Sequence, residues 1–149
     1  MEKLKAHHNK KNLWLIIAAV LNAVAAFMHL CCIYVGAPLF RFLGTEAMAR
    51  MYEAGNYSHP VAVCLVLATI LSVWSAYALS GAGVIPKLPL LRFVLVGIAT
   101  VYLLRGISFP FIMPYFPENT MLFWYCSSAI VFTLGLIHLI GIKQVWTQL

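Results

Sequence analysis

Residues 13–35 read LWLIIAAVLNAVAAFMHLCCIYV and contain no Asp, Glu, Lys or Arg. A helix needs about 20 predominantly apolar residues to cross the hydrocarbon core of a bilayer, and this stretch exceeds that length. Three further stretches, at about 61–79, 90–112 and 121–142, have the same character, although the stretch at 90–112 contains Arg92 near its start and Arg105 in its interior. The sequence therefore predicts an all-α fold, a transmembrane four-helix bundle that forms a single domain over residues 1–149.

The composition excludes a soluble protein. Hydrophobic residues make up 63% of the 149 residues, charged residues only 9%, and the mean hydropathy is +0.91. Soluble chains carry about 25% charged residues, so this chain lacks the side chains to cover a soluble globule. No stretch alternates with a period of two, as the strands of a membrane barrel do, which leaves helices as the spanning elements. Soluble enzymes, disordered chains and repeat solenoids are therefore excluded.

The N-terminal segment also has features of a secretory signal. Four lysines among residues 1–11 precede the apolar run, and residues 23–25 (AVA) resemble a small-residue cleavage site. The apolar run continues to Val35, however, and is longer than the apolar region of a signal peptide. We therefore expect a retained membrane anchor.

The basic residues indicate an orientation. Seven of them lie in the N-terminal tail, the turn after the second stretch and the C-terminal end, whereas the other loops contain two. The positive-inside rule places the more basic side in the cytoplasm. We therefore expect a multi-pass protein of the cell membrane, the inner membrane of a bacterium, with both termini cytoplasmic. The net charge of +6 indicates attraction to anionic lipid rather than to nucleic acid.

The first outward-facing loop has the pattern of a short amphipathic helix. Thr45 is a suitable N-cap, the apolar side chains that follow recur at helical spacing, and Gly55 is a suitable stop. Glu46 and Arg50 are spaced to form an i,i+4 ion pair. The sequence therefore predicts a helix from Thr45 to about Ala54 that lies at the outer membrane interface.

The third loop, residues 109–117, contains three prolines, which excludes a regular helix there. Tryptophan is enriched at membrane–water interfaces. We accordingly expect Trp14 and Trp146 to mark the inner interface and Trp124 to mark the outer one.

The polar residues within the apolar stretches predict a pocket. At 1.5 Å per helical residue, His29 lies about 24 Å from the inner boundary, and Arg105 lies at a matching depth. An arginine within the hydrocarbon is costly and normally faces a bundle interior or a wet cavity. We therefore expect an outward-facing polar site for an anion or headgroup, with Arg105, His29, Glu118 and Asn22 as candidate ligand-binding residues.

Structural interpretations of the same residues stand beside this one. The long stem of Arg105 allows its guanidinium to extend to the outer headgroups. Arg105 also has a loop carboxylate, such as Glu118, as an alternative partner. Asn22 lies among alanines that allow close helix packing, and His138 has the position of a packing or interfacial residue.

A second hypothesis is a soft-metal permease. The adjacent Cys31 and Cys32 resemble the vicinal cysteines in the first helix of small mercuric-ion transporters. Together with His29 and Cys64 they are candidate metal ligands, because thiolate and imidazole suit soft and borderline metals. The alternative is that each cysteine packs as a small hydrophobe. A third hypothesis is a membrane thiol oxidoreductase that acts at the outer face. A structural disulfide between Cys64 or Cys126 and the vicinal pair is a separate alternative, since the outer side of a bacterial membrane is oxidising.

The overall layout resembles the DoxX-like family of small four-span bacterial membrane proteins. The shared features are the span, amphipathic outer segment and second span in that order, and the small-residue turn at residues 79–83 (LSGAG). The resemblance implies a four-span bundle and names no reaction, cofactor or site residue.

The leading functional expectation is a non-enzymatic accessory protein or a small lipid- or solute-binding bundle. Known nucleotide-binding, hydrolase and metalloprotease motifs are absent from the sequence. No Asp or Glu lies inside an apolar stretch, which disfavours proton-coupled transport. The expected partners are the lipid bilayer and a membrane protein or a second copy of this chain, with no nucleic acid. The sequence indicates no particular cofactor.

Overall fold

A computed structural model describes residues 11–149, and that part of the chain is helical with no β-strand. This confirms the all-α prediction. The elements are α1 (Leu13–Val35), α2 (Ala37–Phe42), α3 (Glu46–Glu53), α4 (Ser58–Gly81), α5 (Leu91–Ile107), α6 (Phe109–Ile112), a 3₁₀ turn (Met113–Tyr115) and α7 (Met121–Val145).

Three helices, α1, α4 and α7, are long and apolar enough to cross a membrane. The chain therefore has the helices of a multi-pass membrane protein. A fourth candidate span consists of α5 followed by residues 109–115, and these two parts meet at a bend of 65°. The single helix predicted over 90–112 is wrong in this respect, since α5 ends at Ile107. Pro110 explains the break, because it lacks the N–H and its ring clashes with the preceding turn.

Two groups of short segments lie at the two ends of the helical assembly. The loop end comprises α2, α3 and residues 108–120, and the turn end comprises residues 82–90 and 146–149. The helix α1 begins at the turn end, where Asn12 Oδ1 accepts a hydrogen bond from the Leu15 backbone N–H at 2.9 Å. The Asn12 amide also donates to Gln144 Oε1 at 2.8 Å, which attaches the start of α1 to α7.

The long helices pack through small residues. Most contacts of α1 are with α4, and most contacts of α5 are with α7. A Cβ atom added at Gly141 would lie 2.7 Å from Leu15 Cγ, and one added at Gly106 would lie 2.6 Å from Phe132 Cβ. Glycine therefore allows approaches that a larger residue would prevent. Large apolar side chains such as Phe27 and Val66 remain exposed on the outside, as expected for a surface in contact with lipid.

The helix predicted from Thr45 to about Ala54 is confirmed as α3, and a second short helix that was not predicted, α2, precedes it. Gly36, at φ +75°, ends α1 and starts α2, and a Cβ there would lie 2.5 Å from the Tyr52 ring. The predicted side-chain cap at Thr45 is not formed, because its hydroxyl donates to the Phe40 carbonyl at 2.9 Å. The predicted ion pair between Glu46 and Arg50 is confirmed at 3.4 Å.

Candidate functional site

Arg105 lies in the last turn of α5 and its side chain turns toward α7. One guanidinium nitrogen, Nη1, donates to Ser128 Oγ at 3.3 Å, and Cζ lies 5.2 Å from the centre of the Trp124 ring. Arg105 forms no ion pair with any carboxylate in residues 11–149. The guanidinium is therefore a half-buried cation whose protein partners are a hydroxyl and an aromatic face.

Trp124 is the largest fully buried side chain next to Arg105, with 2% of its surface exposed. It packs between Phe116 and Phe123, whose ring centres lie 6.3 Å and 5.3 Å away. Aromatic neighbours therefore enclose the Trp124 ring, which lies in the first turn of α7 next to the loop end. Its indole Nε1 has no hydrogen-bond partner within the described range, although buried indole N–H groups usually find one.

The three carboxylates of the loop end are paired with the arginines of α2 and α3. Arg41 holds Glu53 through two contacts of 2.5 Å and 2.6 Å, and Arg50 reaches Glu118 at 3.6 Å. The Arg41 guanidinium lowers the pKa of the Glu53 carboxyl and has its own pKa raised in turn. Glu118, predicted as a candidate ligand-binding residue beside Arg105, therefore contacts Arg50 instead.

The loop end is attached to the start of α7. The Thr120 backbone N–H donates to the Gly44 carbonyl at 3.5 Å, and a Cβ at Gly44 would lie 2.7 Å from Phe123 Cβ. Thr120 also caps α7 by accepting a hydrogen bond from the Phe123 N–H at 3.1 Å. The paired charges of the loop end therefore lie close to the turn of α7 that carries Trp124.

His29 is half-buried on α1. Its Nδ1 lies 2.7 Å from the carbonyl oxygen of Ala25, one turn earlier on the same helix. None of the hydrogen bonds or ion pairs formed by residues 11–149 joins His29 to Arg105. The structure therefore gives these two pocket candidates separate partners.

Asn22 belongs to a buried polar network in the middle of the bundle. The Tyr102 hydroxyl donates to Asn22 Oδ1, and the Asn22 amide donates to His138 Nε2 at 3.3 Å. His138 Nδ1 in turn donates to the Leu134 carbonyl at 2.9 Å. These bonds join α1, α5 and α7, and the ring of Trp74 on α4 packs edge-on against Tyr102.

In this network the polar groups of Asn22 form hydrogen bonds with protein partners. Asn22 and His138 are both 0% exposed, and the two hydrogen bonds of His138 together require a neutral ring with its proton on Nδ1. Tyr102 was not predicted as a functional residue. The sequence feature that could have identified Tyr102 is its position three residues before Arg105, which places its hydroxyl about one helical turn from Arg105 on α5, toward the middle of the bundle.

The four cysteines are free. Cys32 and Cys64 are 2% and 3% exposed, and their thiols contact each other in an apolar cluster beneath α2 and α3. Cys31 is half-buried and Cys126 is exposed. Within residues 11–149, no three His, Cys, Asp or Glu side chains are grouped so as to hold a metal ion. The predicted metal set of His29, Cys31, Cys32 and Cys64 is therefore not assembled.

Comparison with protein families, curated proteins and solved structures finds no match to this chain.

Proposed function

We propose that this protein is a non-enzymatic four-span membrane protein that binds an anionic group at Arg105. The group is a carboxylate or phosphate, carried by a small solute or by a lipid headgroup. One observation carries the proposal: the half-buried guanidinium has no carboxylate partner among the described residues, and the adjoining buried indole N–H has no acceptor. Both groups are hydrogen-bond donors without an acceptor of matching charge, which is the chemistry that favours an anion.

The energetics favour such a ligand. An unpaired arginine within a membrane costs about 2.5–3.5 kcal/mol on insertion scales. Hydrogen bonds from guanidinium to carboxylate or phosphate are roughly twice as strong as neutral ones, and the planar fork binds two oxygens at once. The Trp124 face adds a cation–π attraction that holds the guanidinium in place. A bound anion therefore offsets the free-energy cost of placing Arg105 in the membrane better than the single hydrogen bond to Ser128 does.

The orientation proposed from the basic residues indicates the side of the membrane from which the ligand binds. With both termini and residues 82–90 in the cytoplasm, Arg105 lies near the extracytoplasmic surface, and its ligand enters from that side. The DoxX-like layout fits a bundle of this kind. A membrane-protein partner or a second copy of the chain is the proposed associate, since the exposed faces of the spans are apolar.

The test is a titration of the purified protein in phosphatidylcholine nanodiscs with inorganic phosphate and, separately, with acetate. Thermal unfolding and tryptophan emission report binding, because the site adjoins Trp124. We expect stabilisation that saturates in the wild type and is absent in Arg105→Gln. Arg105→Lys keeps the charge and loses the fork, so we expect binding about tenfold weaker.

The matched control is Arg50→Gln, which removes an exposed arginine from the same end of the bundle. We expect it to bind both anions as the wild type does. Circular dichroism establishes that each variant is folded. Equal responses of wild type and a folded Arg105→Gln protein would refute the proposal, as would a response lost equally in the Arg50 variant.

A further inference from the structure

A second arginine on α5 contacts a second tryptophan at the opposite end of α7. Arg92 Cζ lies 4.6 Å from the centre of the Trp146 ring, and its Nη2 donates to the Trp146 carbonyl at 3.0 Å. Lys87 Nζ donates to the backbone carbonyl of Gln148. Cations at the final carbonyls of a helix are favourable because those carbonyls carry partial negative charge. These contacts attach the start of α5 to the end of α7.

An apolar groove runs along the surface between α5 and α7 from this pair. Its volume is about 440 Å³. The α5 side of the groove includes Val96, Thr100 and Leu103, and the α7 side includes Leu139, Lys143 and Trp146. Seven residues separate Val96 from Leu103, so the groove is about 10 Å long by the helical rise.

A second depression of about 450 Å³ adjoins the groove at the turn end, with Lys87 and Arg92 in its wall. The two depressions meet at the stacked pair, because Arg92 lines one and Trp146 lines the other. A lipid that lies in the groove therefore has its headgroup end next to these cations.

The charged side chains that the structure describes at this end are all basic. Residues 81–92 and 139–149 contain Lys87, Arg92 and Lys143 and no Asp or Glu. Lys143 is exposed and forms no hydrogen bond or ion pair with residues 11–149. The Nε of Arg92 is buried and has no partner in the same part of the chain. Lys143 is thus a cation without a partner among the described residues in the wall of the apolar groove, and Arg92 adds a second positive charge in the adjoining depression.

We infer that this groove binds one anionic phospholipid. An acyl chain lies between α5 and α7, and the phosphate contacts Lys143 and Arg92. The apolar walls disfavour a free phosphate, and the uncompensated positive charge disfavours a zwitterionic headgroup. The inference is independent of the proposed function, since it uses different residues at the other end of the bundle.

The experiment is native mass spectrometry of the detergent-purified protein with phosphatidylglycerol and phosphatidylcholine of identical acyl chains. We expect one phosphatidylglycerol to be retained preferentially. Lys143→Gln should reduce that preference about fivefold, the factor that corresponds to one basic side chain near an anionic surface. Lys11→Gln is the matched control, because it removes an exposed basic residue at the start of α1, outside the groove. We expect it to keep the preference.

Leu139→Trp tests the acyl-chain contact separately. Leu139 is 47% exposed, so the larger side chain fills the groove without entering the core. We expect loss of the retained lipid in this variant and no competition by glycerol 3-phosphate. Equal retention of both lipids, an unchanged preference in Lys143→Gln, or displacement by glycerol 3-phosphate would overturn the inference. All of these variants keep Arg105, so the lipid measurements do not depend on the result of the anion titration at that residue.

Discussion

The two arginine–tryptophan pairs that join α5 to α7 have the same chemistry and different surroundings. At the turn end, Arg92 stacks on a Trp146 ring that is 46% exposed and donates to a backbone carbonyl. At the loop end, Arg105 stacks on a Trp124 ring that is 2% exposed and contacts a hydroxyl. The first pair lies beside an open apolar groove, and the second lies among aromatic side chains.

This difference shows that the enclosure of the ring, rather than the pairing itself, determines what each pair can do. At the turn end Lys87 and Arg92 already donate to carbonyl oxygens, and Lys143 lines an apolar groove. At the loop end the carboxylates are bound by Arg41 and Arg50, so Arg105 is left without one. The first surroundings suit a lipid with an anionic headgroup. The second suit a single anion.

The largest expected effect contrasts the two rings. Trp124→Ala removes a buried aromatic side chain and should lower the free energy of unfolding by about 3–5 kcal/mol. Trp146→Ala removes a half-exposed ring and should lower it by about 1 kcal/mol or less. Unfolding in mixed micelles, followed by circular dichroism, measures both. Similar losses in the two variants would remove the distinction between the pairs.

A smaller effect is expected midway between the two pairs. Asn22→Leu leaves the Tyr102 hydroxyl and His138 Nε2 without their partner, and we expect a loss of about 1–2 kcal/mol. A double-mutant cycle with Tyr102→Phe measures the coupling. Additive losses would mean that the network does not join α1 to α5. Anion binding at Arg105 should be retained in both variants.

The smallest expected effect is a pH dependence of the loop end. The pKa of Glu53 is lowered in the folded protein by Arg41. The stabilisation of the folded loop end by the Arg41–Glu53 pair is therefore complete above 4.5, the ordinary pKa of a Glu carboxyl. It is lost as the pH falls through the lowered pKa of Glu53. Hydrogen exchange of the α3 amides, corrected for intrinsic rates, should show weaker protection in that acidic window. Glu53→Gln should abolish the dependence, and a wild-type response retained in this variant would assign it to another group.

The sequence predicts the long helices well and their interruptions less well. The predicted bounds of α1 match the structure, because its apolar run is continuous and Asn12 provides a cap. The apolar run through 90–112 suggested one helix, although Pro110 interrupts it. Local sequence also suggested a single outer helix, whereas the positive φ of Gly36 allows α2 to begin directly after α1.

The candidate site was predicted only in its central residue. Composition and depth identified Arg105, because a lone arginine in an apolar stretch is conspicuous. Its neighbours depend on how α5 packs on α7, so Ser128 and Trp124 had no signal in the sequence. The pairing of Glu118 with Arg50 was equally invisible, since it joins loops that are 68 residues apart along the chain. Long-range pairing of this kind follows from tertiary structure rather than from spacing.

The shortness of α5 has a consequence for the surrounding lipids. Its 17 residues rise about 25 Å, whereas a typical hydrocarbon core is about 30 Å thick. A helix shorter than the core is accommodated by local thinning of the bilayer. For the proposed membrane orientation we therefore expect the leaflet next to Ile107 to be thinned by a few ångströms, which would bring water and phosphodiester groups down to the level of the guanidinium. Hydrophobic mismatch would then give a short route to Arg105 without any movement of the protein.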